Sequence, residues 1–496
     1  MYLKYSFLFL ALHVFLLFSS QETFVNAYLK NVSPTYAVIL LESETNMCFK
    51  IAYGKNLNAL AFTQNFTLAN SSRNSYVYDA IITNLTPKTK YFYCVSKGKI
   101  NYFSTPALGS GNFRFVAMGD SRSQPKIFSE IMKDVNKINP DVIISMGDLV
   151  EDGGKKVQWK KYFFDASRNV ISHIPFISTL GDHEGERDSG KLFAHYLFPR
   201  KNHKKLWYSF DVGNAHFVSL DYRYPKNVEM INWFENDMTN SDAKWNFVFT
   251  HRPCYNFGGH CSVWGRDTWP ALFQKHKIDI VFSGHSHIYE RFLPVKINSS
   301  SDWSVTYITT GGAGANLYKA RTNQFLAKAF ADYHYILFDI KNDSLLMTTF
   351  STNNCIIDRM RIDKSAGYDK KYFYKSTSQK KLNFITMFLR KLSESINTIP
   401  LMTIPSEKKI CIDSEFKKVG IKISLSKNSR KFYKMKSVKF NLCKGKTKQI
   451  NLKIFAKDNI TVSPWGLITP PLKLDGQICF DEERFEIETG NIEYWP

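Results

Sequence analysis

The side chains best suited to chemistry in this chain recur at the ends of short apolar runs. Phe113-Arg-Phe-Val-Ala-Met118 ends in Gly119-Asp120, and Asp141-Val-Ile-Ile-Ser-Met146 ends in Gly147-Asp148. Pro175-Phe-Ile-Ser-Thr-Leu180 ends in Gly181-Asp182-His183-Glu184. Asn246-Phe-Val-Phe-Thr250 ends in His251, and Asp279-Ile-Val-Phe-Ser283 ends in Gly284-His285-Ser286-His287. Such runs between turn residues read as buried strands. In α/β sheets the carboxyl ends of strands share a crevice in which ligands bind. Glycine there lets the backbone turn sharply and lets an ion or phosphate approach. His285 and His287, two apart in an extended chain, point the same way. Three aspartates and three histidines on one rim give mixed oxygen and nitrogen ligation, suited to Zn, Fe or Mn. One Gly-Asp is usually a turn; five blocks in order, each after a strand, point to a metal centre.

These strands need helices to connect and cover them. Between Asn112 and about Ile362 they alternate with helix-like stretches at Pro125–Ile138, Val228–Met238 and Trp269–Lys275, an α/β arrangement. Residues 25–106 read as all-β, with runs at Tyr36–Leu41, Cys48–Tyr53, Ser75–Ile82 and Lys90–Ser96. Pro106–Gly111, rich in small residues, reads as a linker. After Asp363 a lysine-rich connection leads to runs at Val419–Leu425, Ser437–Leu442, Gln449–Phe455 and Gln477–Phe480, a small β-rich domain without recognisable chemistry. At 496 residues the chain is too long for one ordinary core. Its 44% apolar content and 15% aromatics exclude a disordered chain.

Several features suit an exported protein. Met1 to about Ser20 reads as a secretory signal: Lys4 supplies a positive start, Phe7–Phe18 an apolar core, and Ser19-Ser20 small residues near a cleavage point, with Ala27 a second candidate. No later stretch approaches ~18 clean apolar residues; Phe384–Ile404 is interrupted by Arg390, Lys391 and Glu394. Sequons at Asn31, Asn65, Asn70, Asn84, Asn298, Asn342 and Asn459 suit a glycosylated surface. The cysteines number eight, an even count that an exported chain tends to pair. Cys254 and Cys261 are close enough to close a small loop, and Cys48 and Cys94 are placed to bridge a sandwich. About half of the +22 formal charge lies after Met360. That region either binds an anionic partner or is a solvated lysine-rich surface.

The blocks resemble those of the calcineurin-like metallophosphoesterases, specifically the purple acid phosphatase-like branch. The resemblance covers about half the chain and continues into Ile288-Tyr-Glu-Arg291 and Thr309-Thr-Gly-Gly-Ala-Gly314. A fibronectin-like domain precedes the catalytic domain in that branch. Leu85-Thr-Pro-Lys-Thr-Lys-Tyr-Phe-Tyr93 resembles the late corner and strand of a fibronectin type III sandwich, pinned by a leucine and a tyrosine. The implied fold is multidomain α/β with β. It comprises a fibronectin type III-like β-sandwich over 25–106 and a metallophosphoesterase α/β sandwich of two β-sheets flanked by helices over 112–362. A basic linker over 363–400 and a small β-rich domain over 401–496 follow. The resemblance also implies two metal ions, with Asp148 bridging them. Asp120 and His287 would complete one site, and Asp182, His251 and His285 the other.

The sequence departs from that pattern at informative places. Glu151 stands where the branch has the tyrosine whose tyrosinate gives the purple colour; it either ligates metal or faces solvent. Arg122 stands where the branch has glycine and many relatives a ligating histidine. It either contacts substrate phosphate through its planar fork or neutralises Glu151. The usual asparagine is Asp182, and of two adjacent histidines near the phosphate only His260 is retained, followed by Cys261. The implied chemistry is attack on phosphorus by a hydroxide shared between the ions. His183, and after it His260, are candidates to contact the phosphoryl oxygen or protonate the leaving oxygen. His183 alternatively orients a ligand, and His260 alternatively is an ordinary loop histidine. The expected function is an exported or lumenal phosphoesterase acting on a phosphorylated small molecule or protein, most readily a monoester. A phosphodiesterase on the same fold and a non-catalytic binding or adhesion protein are the alternatives.

Overall fold

The computed structural model describes residues 25–364, apart from Lys97, Pro199, Cys261, 298–302, Gln324 and Asn354, together with backbone strands between 371 and 494. The expected signal segment 1–20, the sequons at Asn298 and Asn459, and the side chains of the basic C-terminal region lie outside the described residues. None of the five described sequon asparagines is buried. Among the described residues no helix is long and apolar enough to cross a membrane.

Residues 25–104 form two four-stranded antiparallel sheets. One orders Val25–Val32, Ala37–Ser43, Ser75–Ile82 and Thr67–Ser72; the other orders Phe62–Asn65, Lys50–Gly54, Lys90–Val95 and Ile100–Ser104. Alternation sends Tyr91 and Tyr93 inward to meet Leu29, Ile39, Leu41, Ile51 and Phe103 in one core. At the corner before Lys90–Val95, Leu85 is buried and the Tyr91 hydroxyl accepts the Thr86 N–H at 2.8 Å. The bridge expected between Cys48 and Cys94 is not made. Cys94 faces Ala52 across the ladder, whereas Cys48 is exposed and precedes the neighbouring strand Lys50–Gly54, and no disulfide joins the two. The Cys94 thiol donates instead to the Gly98 carbonyl at 3.0 Å.

The strands that end in the candidate ligands divide between two sheets. Asn112–Met118, Val142–Ser145 and Phe176–Ser178 are parallel neighbours in the larger sheet. Trp245–Thr250 and Ile280–Ser283 are parallel neighbours in a seven-stranded sheet, flanked by Ala215–Ser219 and Thr306–Thr310. Helices and the opposite sheet cover both faces, which explains the continuous apolar runs. Phe115, Phe217, Phe247, Phe282 and Phe338 fill the space between the sheets. Phe115 meets Phe217 edge-on at 5.2 Å and Phe247 at 5.2 Å. Each such ring stabilises the layer contact by roughly 1.5–3 kcal/mol.

Helix Pro125–Ile138 shows why the outer layer forms where it does. Proline in its first turn needs no intrahelical donor. Phe128, Ile131, Met132 and Val135 repeat at helical spacing and are buried. Asn139, at φ 50°, ends the helix by returning its N–H to the Val135 carbonyl. Helices Val228–Thr239 and Trp269–Lys275 also fall where the apolar spacing predicts. The helical stretch from Lys156 to Ile171 and helices Asp182–Asp188 and Lys191–Leu197 do not appear in the sequence reading. Lys155 and Gly190 precede two of them without a side-chain cap, so the usual start signal is missing.

These unheralded helices carry the contact with the N-terminal sheets. Tyr28 donates to the Tyr196 carbonyl at 2.6 Å and Tyr93 to the Ser172 carbonyl at 2.5 Å. Arg200 grips Asp79 with two N–H donors at 2.6 and 2.8 Å. At the other end, strands fall inside the stretch expected as a linker. Lys371–Tyr374 pairs with Ile356–Asp363, and Ile385–Leu389 pairs with Lys371–Tyr374. Ser406–Ser414, Thr447–Ala456 and Tyr433–Met435 continue this eleven-stranded sheet, while Lys418–Leu425, Val438–Cys443, Leu472–Cys479 and Ile492–Tyr494 form a separate four-stranded one. The open edge of Ile356–Asp363 offers unpaired backbone groups, and the following chain satisfies them.

Candidate metal centre

The strand ends converge as the sequence predicts, and the backbone there is unusual. Asp120, Asp148 and His285 take φ values of 58°, 54° and 63°. This left-handed region is open to few side chains other than glycine, asparagine, aspartate and histidine. Two glycines permit the close approach. A Cβ on Gly181 would meet the Asp148 carboxylate, and one on Gly284 would meet Asp120 Oδ2.

Three overlapping sets bring ligand atoms within 4.8 Å of one another among the described residues: Asp182, His251 and His285; Asp120, Asp148 and His251; and Asp148, Asp182 and His183. His285 Nδ1 lies 2.8 Å from Asp182 Oδ2. His251 Nδ1 donates to the Met146 carbonyl at 2.7 Å, which turns Nε2 inward. There it stands 3.4 Å from Asp148 Oδ1 and 3.5 Å from Asp182 Oδ1, fully buried and without a hydrogen-bond partner. Burial pulls the His251 pKa down, but the Asp148 and Asp182 carboxylates outweigh it and the net shift is upward. Burial would raise the Asp182 carboxyl, yet His251 and His285 draw it well below the usual range. A site that concentrates acidic oxygens around an inward-facing imidazole nitrogen fits a cation that displaces the proton.

The other half of the expected ligand set is arranged differently. Asp120 is buried and accepts the His285 backbone N–H at 3.0 Å; burial raises its pKa well above the usual value. His287 Nδ1 donates to the Asn316 carbonyl at 2.8 Å, leaving Nε2 to face Asp120 Oδ1 at 3.6 Å. Burial, with help from the Arg122 charge, pushes His287 down to about 4. Arg122 spreads across this pole. Its Nε donates to Asp148 Oδ2 at 3.2 Å, its Nη1 to Glu151 Oε2 at 2.9 Å, and its Nη2 to His287 Nε2 at 3.3 Å. Glu151, weighed as a ligand, is thus engaged by Arg122 and by the Ser123 hydroxyl. Glu151 joins no cluster of potential metal ligands among the described residues. Of the two sequence-based roles for Arg122, the geometry displays pairing with Glu151.

His183 and His260 both reach the cavity of about 330 Å³ that opens above the centre. His183 Nδ1 donates to the Glu151 carbonyl at 2.6 Å, so Nε2 faces Asp148 Oδ2 at 3.9 Å. His260 is exposed at the rim. It stacks on Tyr318 at 5.1 Å and meets His285 edge-on at 5.2 Å. Cys261 lies outside the described residues, and other contacts order this loop. Asn256 Nδ2 donates to the Gly258 and His260 carbonyls, and Glu290 accepts the Gly258 N–H at 2.7 Å.

Two residues absent from the sequence reading belong to the site. Arg252 donates to Asp182 Oδ2 at 3.1 Å and to Glu186 at 2.6 Å; its position directly after His251 was the available signal. Tyr318 stacks on His287 at 4.4 Å, and nothing in its local sequence marks it. Glu184, read only as part of its motif, accepts the backbone N–H groups of Asp148, Leu149, Val150 and Gly181.

Comparison with known proteins agrees with this geometry. The calcineurin-like phosphoesterase family model matches residues 113–289. Purple acid phosphatase 21 of Arabidopsis thaliana is 29% identical over 257 residues, 48% of this chain and 58% of that protein. Probable inactive purple acid phosphatase 24 of the same plant is 24% identical over 334 residues, 52% of this chain and 53% of that protein. The chain thus spans little more than half the length of these curated relatives. The purple acid phosphatase PPD1 from yellow lupin seeds shares the fold with a TM-score of 0.59 at 18% identity, over 69% of this chain and 74% of that one. Residues 113–289 thus match the calcineurin-like phosphoesterase family model, and the chain is similar in sequence and fold to purple acid phosphatases.

Proposed function

We propose that this chain is a metal-dependent phosphoesterase that hydrolyses phosphate monoesters in the secretory pathway or a lumenal compartment. The observation that carries the reading is the inward, unpartnered Nε2 of His251 among the carboxylates of Asp148 and Asp182. Asp182, His251 and His285 would hold an ion, which when bound supplies a Lewis acid for a phosphoryl oxygen and acidifies a water. The chain's own residues do the rest. Arg252 and Arg122 place fixed positive charge beside the cavity, where an anionic phosphoryl group is drawn in. The Glu151 carbonyl fixes the tautomer of His183, which presents Nε2 to the cavity for proton transfer to the leaving oxygen. Export rests on the N-terminal apolar segment and on the sequons, of which the five described are unburied. The 25–106 region serves as a fibronectin type III-like support, held through Tyr28, Tyr93 and Asp79.

Hydrolysis of an aryl monophosphate is compared with that of its bis-aryl diester under Mn, Zn or Fe supplementation. Turnover of the monoester supports the reading, and turnover of the diester alone replaces it with a phosphodiesterase. One observation favours a second reading, a catalytically silent binding protein: Arg122 occupies Asp148, Glu151 and His287 together. Metal binding without turnover of either ester would select it.

A further inference from the structure

The resemblance to two-metal enzymes leads one to expect an ion between Asp120, Asp148, the residue at position 151 and His287. Here that space is spanned by a side chain. The three guanidinium nitrogens of Arg122 each address a different residue of the set: Asp148 at 3.2 Å, Glu151 at 2.9 Å and His287 at 3.3 Å. Asp148 and His287 are the residues that the resemblance makes ligands there, and Glu151 stands in the place of a third. The His287 contact is the telling one. Because His287 Nδ1 is committed to the Asn316 carbonyl, Nε2 carries a lone pair, and Arg122 points a donor at it. The guanidinium fork reaches three directions in one plane and keeps its charge at all accessible pH. It is largely buried, with 13% of the side chain exposed, so its charge is weakly screened toward anything beside it. Around Asp182, His251 and His285 the arrangement is opposite. Arg252 touches one member only, donating to Asp182 Oδ2, the oxygen that also faces His285 Nδ1 at 2.8 Å; Asp182 Oδ1 stays turned to His251 Nε2 at 3.5 Å, which has no hydrogen-bond donor aimed at it.

We propose that this chain binds a single metal ion, at Asp182, His251 and His285, and that the Arg122 guanidinium takes the place of the second ion. The inference rests on reading the site as a metal centre. It makes Arg122 a positioning residue: it holds Asp148 and His287 in the arrangement that a second ion would otherwise impose. It also accounts for two departures as one exchange. Glu151 replaces a tyrosine and Arg122 a small or ligating residue, and the two pair with each other.

The test counts ions on the full chain. Chelator-stripped protein is titrated with Zn or Mn alone by calorimetry, and the count is checked by elemental analysis after dialysis and by anomalous scattering from crystals. The wild type is expected to take up one ion, near Asp182, His251 and His285, and Asp182→Ala, which removes the donor oxygens, to lose it. Arg122→Gly, which frees Asp148, Glu151 and His287, is expected to take up a second ion, whereas Arg122→Lys stays at one. Wild type binding two ions overturns the proposal and leaves the metal-centre reading intact; so does Arg122→Gly that folds, by circular dichroism, yet binds only one. Wild type binding no ion overturns both. If Arg122→Gly does not fold, the wild-type count and the anomalous peak position still decide.

Discussion

Glu184 holds Asp148 by its backbone: Glu184 Oε2 accepts the Asp148 N–H at 3.1 Å. The same carboxylate takes the N–H groups of Leu149 at 2.8 Å, Val150 at 3.2 Å and Gly181 at 3.1 Å. Two strand ends, those carrying Asp148 and Asp182, are therefore tied to one buried carboxyl group at the start of a helix. Burial and the Asp148 charge push Glu184 up to about 8, against the pull of the N–H donors.

Glu184→Ala leaves four buried N–H groups without a partner, at about 1–3 kcal/mol for each that water does not reach. A loss of at least ~3 kcal/mol in chemical denaturation is expected, together with weaker metal binding. Glu184→Gln, which keeps one acceptor oxygen, should fall between the two. A stability change below ~0.5 kcal/mol in the alanine variant would remove Glu184 from this role.

His183→Ala removes the group placed for proton transfer while the ligand set stays whole. Such a loss typically lowers kcat by about 10²–10⁴-fold with little change in KM. Metal content should match the wild type, which separates a proton-transfer role from a ligand role. Unchanged kcat would reassign His183 to orienting the Glu151 backbone.

Gly284→Ala drives a methyl group into Asp120 Oδ2 and to 3.1 Å from the Met146 side chain. Overpacking of this kind costs about 1–3 kcal/mol. Thermal unfolding should fall accordingly and metal affinity should drop with it, because His285 is the next residue. A variant with wild-type melting and affinity would show that the strand end can move aside.

Away from the site, His216 donates to Asp211 at 2.7 Å and to Asp237 at 2.9 Å. Burial lowers its pKa, the two carboxylates raise it, and the balance stands at about 9. A histidine whose folded pKa exceeds its unfolded one of about 6.5 binds its proton more tightly in the fold. Its contribution is full below about pH 6.5 and disappears as pH rises through about 9. Solvent around Asp211 screens the triplet, so ~1–2 kcal/mol is a fair expectation. Urea denaturation at pH 6 and pH 10 should show that much more loss in wild type than in His216→Gln. Equal losses would refute the assignment.

Much of this was legible from the residues, and the failures have causes. Helices Pro125–Ile138 and Val228–Thr239 announce themselves by apolar spacing and by terminal signals such as Asn227, whose Oδ1 accepts the Met230 N–H at 2.8 Å. Each candidate ligand follows a buried strand, so its position was fixed by a short-range pattern. The helices between Lys156 and Leu197 form because tertiary packing of Trp159, Phe163, Phe164 and Phe193 buries them, a cause that local propensity does not record. The extension of the larger sheet past Asp363 depends on an edge made by strands far away in sequence. Arg122 was visible as an oddity, but its three-way hold on residues 26, 29 and 165 positions away is a product of the fold.

The left-handed backbone at Asp120, Asp148 and His285 also governs which amino acids can be swapped in without disturbing anything else. Alanine lacks a side chain able to offset that conformation and adds about 1 kcal/mol or more of conformational cost to the lost ligand. Asparagine tolerates it and nearly matches aspartate in shape. Asp148→Asn therefore isolates the missing charge, whereas Asp148→Ala mixes it with a backbone penalty, and their difference in melting temperature measures that penalty directly. For the same reason neutral drift at these three positions is confined to glycine, asparagine, aspartate and their few equals, whatever chemistry the centre performs.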